Sequence, residues 1–197
     1  YNWAKVKNNW DHLYTGVYKN NELVATGLVL IKRLPLSFCM YYLPRGPIMD
    51  YKDKDVYDLL SRYFQKELEL AKWDGFDSLA HLTYPLRYMV GEQKIPVDMT
   101  RFDDVIGEIF ETLIKNHKAL EINTSGIAMP LGDTLPGEAY IQRFHDMGGQ
   151  YITVGSDAHV PEKLCGNVDK GMALAKKCGF DYVTIFNRRE PMLVPIA

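Results

Sequence analysis

Two side chains with metal-binding chemistry follow directly after one predicted strand of this sequence. Tyr151 to Val154 is a β-branched and aromatic run that predicts a buried strand, and Gly155 ends it just before Asp157 and His159. Residues i and i+2 of an extended chain point the same way, so the carboxylate and the imidazole are expected side by side. Such a pair suits a divalent metal ion, although a helix-capping Asp beside a surface His is an equal alternative.

A third candidate, His81, ends the short predicted strand from Phe76 to Ala80. Because the carboxyl ends of parallel strands share one rim of a sheet, we expect His81 to converge with Asp157 and His159. Imidazole and carboxylate ligands suit Zn, Mn or Fe, and a bound metal lowers the pKa of its water to near 7. A lone histidine is more often a hydrogen-bonded structural residue, but three such residues on one rim favour metal binding.

Arg87 and Tyr88 follow His81 in the segment from Tyr84 to Pro96, which predicts a long functional loop over the same rim. A guanidinium is the preferred bidentate partner of phosphate, so this pair is a candidate for binding a phosphorylated ligand. An arginine stacked on tyrosine at the surface is the alternative. Asn123-Thr-Ser-Gly126 ends another strand, either as a turn that contacts substrate or as a plain polar turn.

The composition argues against several classes of protein. At 197 residues the chain is one medium domain, or one domain plus a fragment, and its first residue, Tyr1, leaves a missing upstream segment open. A formal net charge of -2 argues against nucleic-acid binding by bulk electrostatics, and no apolar run is long enough to span a membrane. Three cysteines without a CxxC pair argue against a disulfide framework, so a reducing cytoplasm is the expected location.

The first 50 or so residues predict an antiparallel β meander. Gly16 to Tyr18 and Leu23 to Ile31 are predicted strands, and Asn20-Asn21 between them is a credible hairpin turn because asparagine tolerates left-handed φ. Phe38 to Leu43 is a third predicted strand, which Pro44-Arg-Gly-Pro47 stops.

From residue 51 onward strands and helices alternate, which predicts an α/β fold. The predicted elements are a helix from Asp55 to Trp73, the Phe76 strand, a helix opened by a capping box at Thr100-Arg-Phe-Asp103, a strand from Ala119 to Asn123, a helix beginning near Pro136, the Tyr151 strand, a helix capped by Asn167 and a strand from Tyr182 to Phe186. This alternation implies parallel strands with right-handed crossovers. Four such strands would form an arc that is part of a barrel or a small open sheet.

Three ordered motifs of this second part resemble the PHP-type histidinol-phosphatases. They are Phe76-Asp-Ser-Leu-Ala-His-Leu-Thr-Tyr-Pro-Leu-Arg-Tyr88, Leu120-Glu-Ile-Asn-Thr-Ser-Gly126 and Val154-Gly-Ser-Asp-Ala-His159, and the likeness runs from about Met49 to the C-terminus. The resemblance implies a distorted seven-stranded β/α barrel with a trinuclear metal site, of which this chain holds about half. It also implies hydrolysis of histidinol phosphate to histidinol and phosphate in histidine biosynthesis.

The same resemblance assigns roles to individual residues. His81, Asp157 and His159 correspond to metal ligands, Asp157 and His159 to catalytic residues, and Arg87 with Tyr88 to the phosphate contact. Relatives carry a His-x-His strand and further His and Glu ligands upstream, whereas only His12 precedes His81 here. We therefore expect a phosphatase whose activity is impaired by missing ligands.

The beginning of the chain resembles a different family, the FemABX-type peptidoglycan aminoacyltransferases. The resemblance rests on Gly16-Val-Tyr-Lys19, Glu22-Leu-Val-Ala25 and above all Tyr42-Leu-Pro-Arg-Gly-Pro-Ile-Met-Asp50. It implies an acetyltransferase-like domain that uses aminoacyl-tRNA. The two resemblances meet near Met49-Asp-Tyr-Lys52, so we expect a fusion of two truncated parts, residues 1–50 and 51–197.

Three hypotheses follow from the sequence. The first is a metal-dependent phosphatase acting on a small phosphorylated substrate, with neither a nucleic acid nor a membrane as partner. The second is a fragment of an aminoacyltransferase. The third is a non-catalytic chain that self-associates through the open edge of its half barrel, because unpaired strand edges and exposed apolar surface favour association.

Overall fold

A computed structural model describes residues 11–33, 39–42, 48–49 and 55–196 of the chain. The contacts between residues divide the chain into two compact units, Tyr1–Asp53 and Lys54–Ala197. None of the helices in the described ranges is both long enough and apolar enough to cross a membrane.

The first unit is an antiparallel sheet. Its described strands are β1 (Asp11–Lys19), β2 (Glu22–Arg33), β3 (Cys39–Tyr42) and β4 (Ile48–Met49). Strand β2 pairs with each of the other three in antiparallel register. Asn20 and Asn21 turn the chain between β1 and β2 with φ of 49° and 67°, which confirms the predicted hairpin turn. The predicted stop at residues 44–47 lies outside the described residues.

The second unit alternates helices and strands, which confirms the α/β class. Its helices are α1 (Asp55–Lys72), α2 (Asp103–Lys115), α3 (Glu138–Asp146) and α4 (Val168–Lys177). Its strands are β5 (Ser78–Leu79), β6 (Ala119–Asn123), β7 (Ile152–Gly155), β8 (Tyr182–Asn187) and β9 (Glu190–Pro195). A π-helical segment, Arg87–Glu92, lies within the loop predicted after β5. Strands β5, β6 and β7 form one parallel sheet in that order.

The two faces of this parallel sheet differ in character. Side chains alternate along a strand, so Leu120 and Ile122 of β6 share one face, where both are fully buried with Phe64 of α1 and Phe110 of α2. Ser78 and Thr153 belong to the opposite face, and their hydroxyl oxygens are 2.7 Å apart. The apolar face therefore packs in the core, and the opposite face carries polar side chains.

The prediction that a fourth strand pairs in the parallel sheet is wrong. Strand β8 pairs antiparallel with β9 in a separate two-stranded sheet, so the parallel sheet has three strands. Arg188 and Arg189 have φ of 54° and 70°, and this tight left-handed turn reverses the chain between β8 and β9. The sequence reasoning does not predict β9, which contains Pro191 and Pro195, although edge strands tolerate proline.

The predicted capping box is also wrong, because the cap lies two residues earlier. One carboxylate oxygen of Asp98 accepts hydrogen bonds from the backbone N–H and the hydroxyl of Thr100, at 3.2 and 2.6 Å. This cap opens the 3-10 turn Met99–Phe102, which leads directly into α2. Asn167 precedes α4 as predicted, but its side chain makes no capping hydrogen bond.

Candidate active site

The structure brings His81, Asp157 and His159 together at the carboxyl end of the parallel sheet. One carboxylate oxygen of Asp157 lies 3.7 Å from Nε2 of His81, and the other lies 3.3 Å from Nε2 of His159. Asp157 thus sits between the two imidazoles. His159 is the outermost of the three, with 75% of its side chain exposed against 19% for Asp157.

Two of these residues have strained backbones. His81 has φ of 64° and Asp157 has φ of 50°, in the left-handed region that residues with a side chain rarely adopt. Both residues follow the end of a strand, β5 and β7 respectively. Such strain is typical of functional sites, where the surrounding structure over-determines the conformation.

His81 and Asp157 perturb each other's ionisation in opposite directions. The side-chain interaction with Asp157 is the main cause of the raised pKa of His81, and burial partly opposes it. The same interaction holds the pKa of Asp157 below its usual range, again against burial. The interaction therefore favours the charged form of each of the two side chains.

Glu121 is a site residue that the sequence reasoning missed. Its pKa is raised, mainly by burial, and the charge of His81 lowers it while that of Asp157 raises it. The carboxylate also interacts with the backbone N–H of His81. A signal was present in the sequence, because Glu121 is an acidic residue on a strand whose neighbours Leu120 and Ile122 are fully buried.

Asn123 joins this group from the last position of β6. Its amide nitrogen donates to a carboxylate oxygen of Glu121 at 3.4 Å, and the same side chain lowers the pKa of Asp157. Its amide oxygen accepts from the backbone N–H and the hydroxyl of Ser125, at 3.0 and 2.7 Å. Asn123 therefore shapes the turn after β6 and also orients two carboxylates.

Helix α1 contributes two further residues from behind His81. The hydroxyl of Tyr63 donates to the backbone carbonyl of His81 at 2.5 Å. Glu67 lies one turn later, and burial raises its pKa to about 7 against the opposing effects of Tyr63 and His81. Within the described part of the chain, one buried carboxylate oxygen of Glu67 has no hydrogen-bond partner. Sequence reasoning treated this helix only as a scaffold, and no motif marks either residue.

Arg87 and Tyr88 lie in the π-helical segment, as part of an aromatic cluster that reaches His81. The guanidinium carbon of Arg87 lies 5.7 Å from the ring centre of Tyr84 and 5.6 Å from that of Tyr88. The hydroxyls of the two tyrosines are 2.9 Å apart, and the Tyr84 ring centre lies 5.0 Å from that of His81. Nε of Arg87 is buried and has no hydrogen-bond partner among the described residues. The contact between Arg87 and tyrosine that was predicted as the alternative is present.

The donor types at this rim fit a divalent metal ion, whereas their number does not complete a coordination shell. Two imidazoles flank one carboxylate, and these are the ligands that Zn, Mn and Fe accept. Across the described ranges, no three or more His, Cys, Asp or Glu side chains are grouped closely enough to hold one ion. A structural zinc site has four ligands and a catalytic site three protein ligands, so this arrangement is an open part of a site.

Known proteins similar to this chain fall into two groups, as the sequence motifs predicted. A FemAB family model matches residues 1–71, which extends into α1. The chain is 33% identical over 132 residues to a probable histidinol-phosphatase of Thermotoga maritima and 29% identical over 148 residues to a histidinol-phosphatase of Lactococcus lactis. These alignments cover 67% and 68% of this chain and 54% of each relative.

A solved structure is also similar to this chain and belongs to the histidinol-phosphatase group. The histidinol phosphate phosphatase of Lactococcus lactis, complexed with Zn, L-histidinol and phosphate, is similar to this chain with a TM-score of 0.57 and 25% identity. The similarity covers 67% of this chain and 50% of that one. The suspected composite is therefore confirmed: a FemAB-like beginning precedes a part that is similar to histidinol-phosphatases. The chain spans about half the length of the curated relatives it matches.

Proposed function

We propose that the second unit carries part of a metal-dependent phosphatase site of the histidinol-phosphatase type. The reaction would split histidinol phosphate with water into histidinol and phosphate, as the names of the relatives suggest. The observation that carries this proposal is the placement of Asp157 between His81 and His159, at 3.7 and 3.3 Å. Because the described residues do not group three possible ligands around one ion, we expect lower activity than that of these relatives.

Asp157, His81 and His159 would each supply a ligand to bound metal in this proposal, and further ligands would be needed to complete the coordination of an ion. A bound divalent ion would supply a water of lowered pKa and compensate phosphate charge. The lowered pKa of Asp157 suits a metal ligand, and His81 would bind as the neutral imidazole. Asn123 and Glu121 would orient these ligands through their hydrogen bonds. Zn is the first ion to test, because the similar Lactococcus lactis enzyme was crystallised with it.

Arg87 would bind the phosphate of the substrate. Its guanidinium lies beside the rings of Tyr84 and Tyr88, and its buried Nε has no partner in the described ranges. A buried donor without a partner costs free energy, which a phosphate oxygen would recover. Tyr88 would keep the guanidinium in place through its ring.

Phosphate release from L-histidinol phosphate by the full chain, loaded with Zn, Mn or Fe in turn, tests this proposal. We expect slow metal-dependent turnover, and we expect His81→Asn to reduce both turnover and Zn affinity by about 100-fold or more. Asparagine removes the imidazole but tolerates the left-handed backbone of His81. His117→Asn is the matched control, because His117 is an exposed histidine with φ of 53°. Equal turnover and equal Zn affinity in the two variants would refute the proposal.

Self-association is a further part of the proposal, and a second copy of this chain is the expected partner. Ile185 of β8 and Met192 of β9 are directly opposite each other and are 52% and 47% exposed. Adjacent apolar side chains on a hairpin favour burial against another surface. Light scattering of the full chain should show a mass that rises with concentration, and Ile185→Lys should lower it. A constant monomer mass would contradict self-association.

We also propose a cytoplasmic location. Cys165 is exposed and Cys178 is buried, and both thiols are free, as is usual in a reducing compartment. Thiol titration of the protein purified from its native host would test this location. A Cys165 that is disulfide-bonded to a partner would count against it.

Aminoacyl transfer by the first unit is the second candidate function. Its support is the FemAB family match over residues 1–71. An assay with charged tRNA and a peptidoglycan precursor tests it directly. Transfer that persists in the His81→Asn variant would assign this activity to the first unit, and absence of transfer would remove this candidate.

A further inference from the structure

We propose that Tyr63 and Glu121 are positioning residues that hold the backbone of His81 in its left-handed conformation, so that its imidazole faces Asp157. The two residues approach His81 from opposite sides, one from α1 and one from β6. The inference rests on the proposed function only where it concerns metal binding by His81. The claim about the backbone conformation of His81 is argued from contacts within the chain.

The backbone of His81 is strained. A residue with a side chain costs roughly 1–2 kcal/mol in the left-handed region, and such a conformation persists only where the surroundings over-determine it. At φ of 64°, His81 lies outside the helices and strands, and its carbonyl accepts a turn hydrogen bond from the backbone N–H of Tyr84 at 2.8 Å. Contacts from other elements add to this single turn bond.

The carbonyl of His81 is held by Tyr63. The tyrosine hydroxyl donates to this oxygen at 2.5 Å. The Tyr63 ring packs edge-on against Phe64, with ring centres 5.4 Å apart, and Phe64 is fully buried in the core. The hydroxyl is thus anchored to the core and not to a mobile side chain.

Glu121 lies beside the N–H of His81. This N–H is near enough to the carboxyl of Glu121 to lower its pKa, and the carboxylate also accepts from Asn123 at 3.4 Å. A Cβ atom added at Gly155 would lie only 2.6 Å from a carboxylate oxygen of Glu121. Glycine at this position therefore leaves the space that the carboxylate occupies between β6 and β7.

The consequence is a fixed direction for the imidazole. With the His81 carbonyl bound by Tyr63 and by the Tyr84 N–H, the His81 ring centre lies 5.0 Å from the Tyr84 ring centre and its Nε2 lies 3.7 Å from Asp157. Loss of either contact should allow the backbone to relax into an ordinary conformation. The ring would then leave both neighbours.

NMR of the full chain without metal or substrate tests the conformational part. In Tyr63→Phe we expect loss of the ring-to-ring nuclear Overhauser effect between His81 and Tyr84, and His81 carbon shifts that leave the left-handed range. Tyr57→Phe is the matched control, because Tyr57 lies on the same helix and its hydroxyl accepts from the N–H of Asp98 at 3.2 Å, away from the site. An unchanged His81 in Tyr63→Phe would overturn the role of Tyr63.

Two neutral variants separate the acceptor role of Glu121 from its charge. Glu121→Gln keeps an acceptor for the His81 N–H, so the His81 signals should stay in place, whereas Glu121→Ala should shift them. Gly155→Ala should also shift them, but it should add no further shift in the Glu121→Ala background, because no carboxylate is then left to collide. Equal effects of Gln and Ala, or of Gly155→Ala in both backgrounds, would overturn the role of Glu121.

Zn affinity, measured by competition with a chelator, links this arrangement to the proposed function. Tyr63→Phe and Glu121→Ala should each weaken Zn binding about tenfold, with Tyr57→Phe unchanged. If the NMR signals shift but no variant or wild-type protein binds Zn, the positioning role stands and the metal proposal fails. If Zn binds and His81 does not move, the positioning role fails alone.

Discussion

The two ends of the parallel sheet differ in how fully their charged side chains are paired. At the amino end Lys118 is only 4% exposed, and its ammonium donates to the carbonyl of Phe76 at 2.6 Å and to Asp74 at 3.2 Å. Arg189 from the turn after β8 adds a hydrogen bond to Asp77 at 3.0 Å. Each charged group there has a partner of opposite charge.

At the carboxyl end the charges are only partly compensated. Glu121 and Glu67 have pKa values raised mainly by burial, and Glu67 reaches about 7. The buried oxygen of Glu67 and the buried Nε of Arg87 lack partners among the described residues. Here the acidic side chains of Glu67, Glu121 and Asp157 interact with the imidazole of His81.

This difference matches the division of labour in β/α folds. Paired charges at the amino ends of parallel strands contribute to stability, whereas ligands bind at the carboxyl ends. Unsatisfied and perturbed groups at the second end are an arrangement that a ligand or ion can complete. Variants at the two ends should therefore change different quantities, and three measurements can test this.

Lys118→Ala should have the largest effect on stability. It leaves the Phe76 carbonyl without its donor and removes the attraction to Asp74, so we expect the free energy of unfolding to fall by about 2–3 kcal/mol. Zn affinity should not change, because the substitution lies at the other end of the sheet. Lys115→Ala is the control, since Lys115 is exposed at the end of α2. A loss of Zn binding in Lys118→Ala without unfolding would break the comparison.

Glu67→Gln should stabilise the protein, and only at higher pH. A carboxyl whose folded pKa is raised destabilises the fold above its ordinary pKa of 4.5, and the full cost is reached above about pH 7. We therefore expect a gain on the order of 1–3 kcal/mol at pH 8 that disappears near pH 4.5. Urea unfolding across this pH range measures it, with exposed Glu69→Gln as control. A gain that is independent of pH would mean that folding does not shift the pKa of Glu67.

Breaking the pair of His81 and Asp157 should have the smallest effect on the free energy of unfolding. A raised His81 pKa gives stability that is present below the ordinary pKa of 6.5 and is lost as pH rises through the folded value. A lowered Asp157 pKa gives stability that is present above 3.8 and is lost as pH falls through the folded value. Asp157→Asn should thus cost about 0.5 kcal/mol between pH 4 and 6.5, because the pair is partly exposed and screened. Unfolding in a metal chelator measures it, and a cost that persists at pH 9 would contradict the pairing.

Local sequence patterns predicted most of the elements. The strand predicted from Ala119 to Asn123 is β6 residue for residue, and the helix predicted from Asp55 is α1, which ends one residue earlier at Lys72. These elements are set by apolar periodicity and by breakers such as Gly75, which act over a few residues. The direction of β8 was missed, because parallel or antiparallel pairing depends on which strand lies beside it.

The sequence also predicted which residues meet, but not what surrounds them. His81, Asp157 and His159 converge because strand ends share a rim, a rule that needs only the order of elements. Their roles as ligands, and those of Arg87 and Tyr88 at a phosphate, stay predictions. Glu67 was invisible because its burial comes from the packing of α1 against the sheet, which no local pattern encodes.

By itself, the sequence determined the two resemblances, the α/β class and the strand ends that carry the site, because these depend on short-range pattern and ordered motifs. Only the tertiary structure decided that the Tyr63 hydroxyl binds the carbonyl of His81 and that Glu121 lies close enough to His81 for the two to affect each other's pKa. The physical reason is that burial and hydrogen bonding between distant segments set the direction of a side chain and its pKa. Both arise from contacts between residues tens of positions apart.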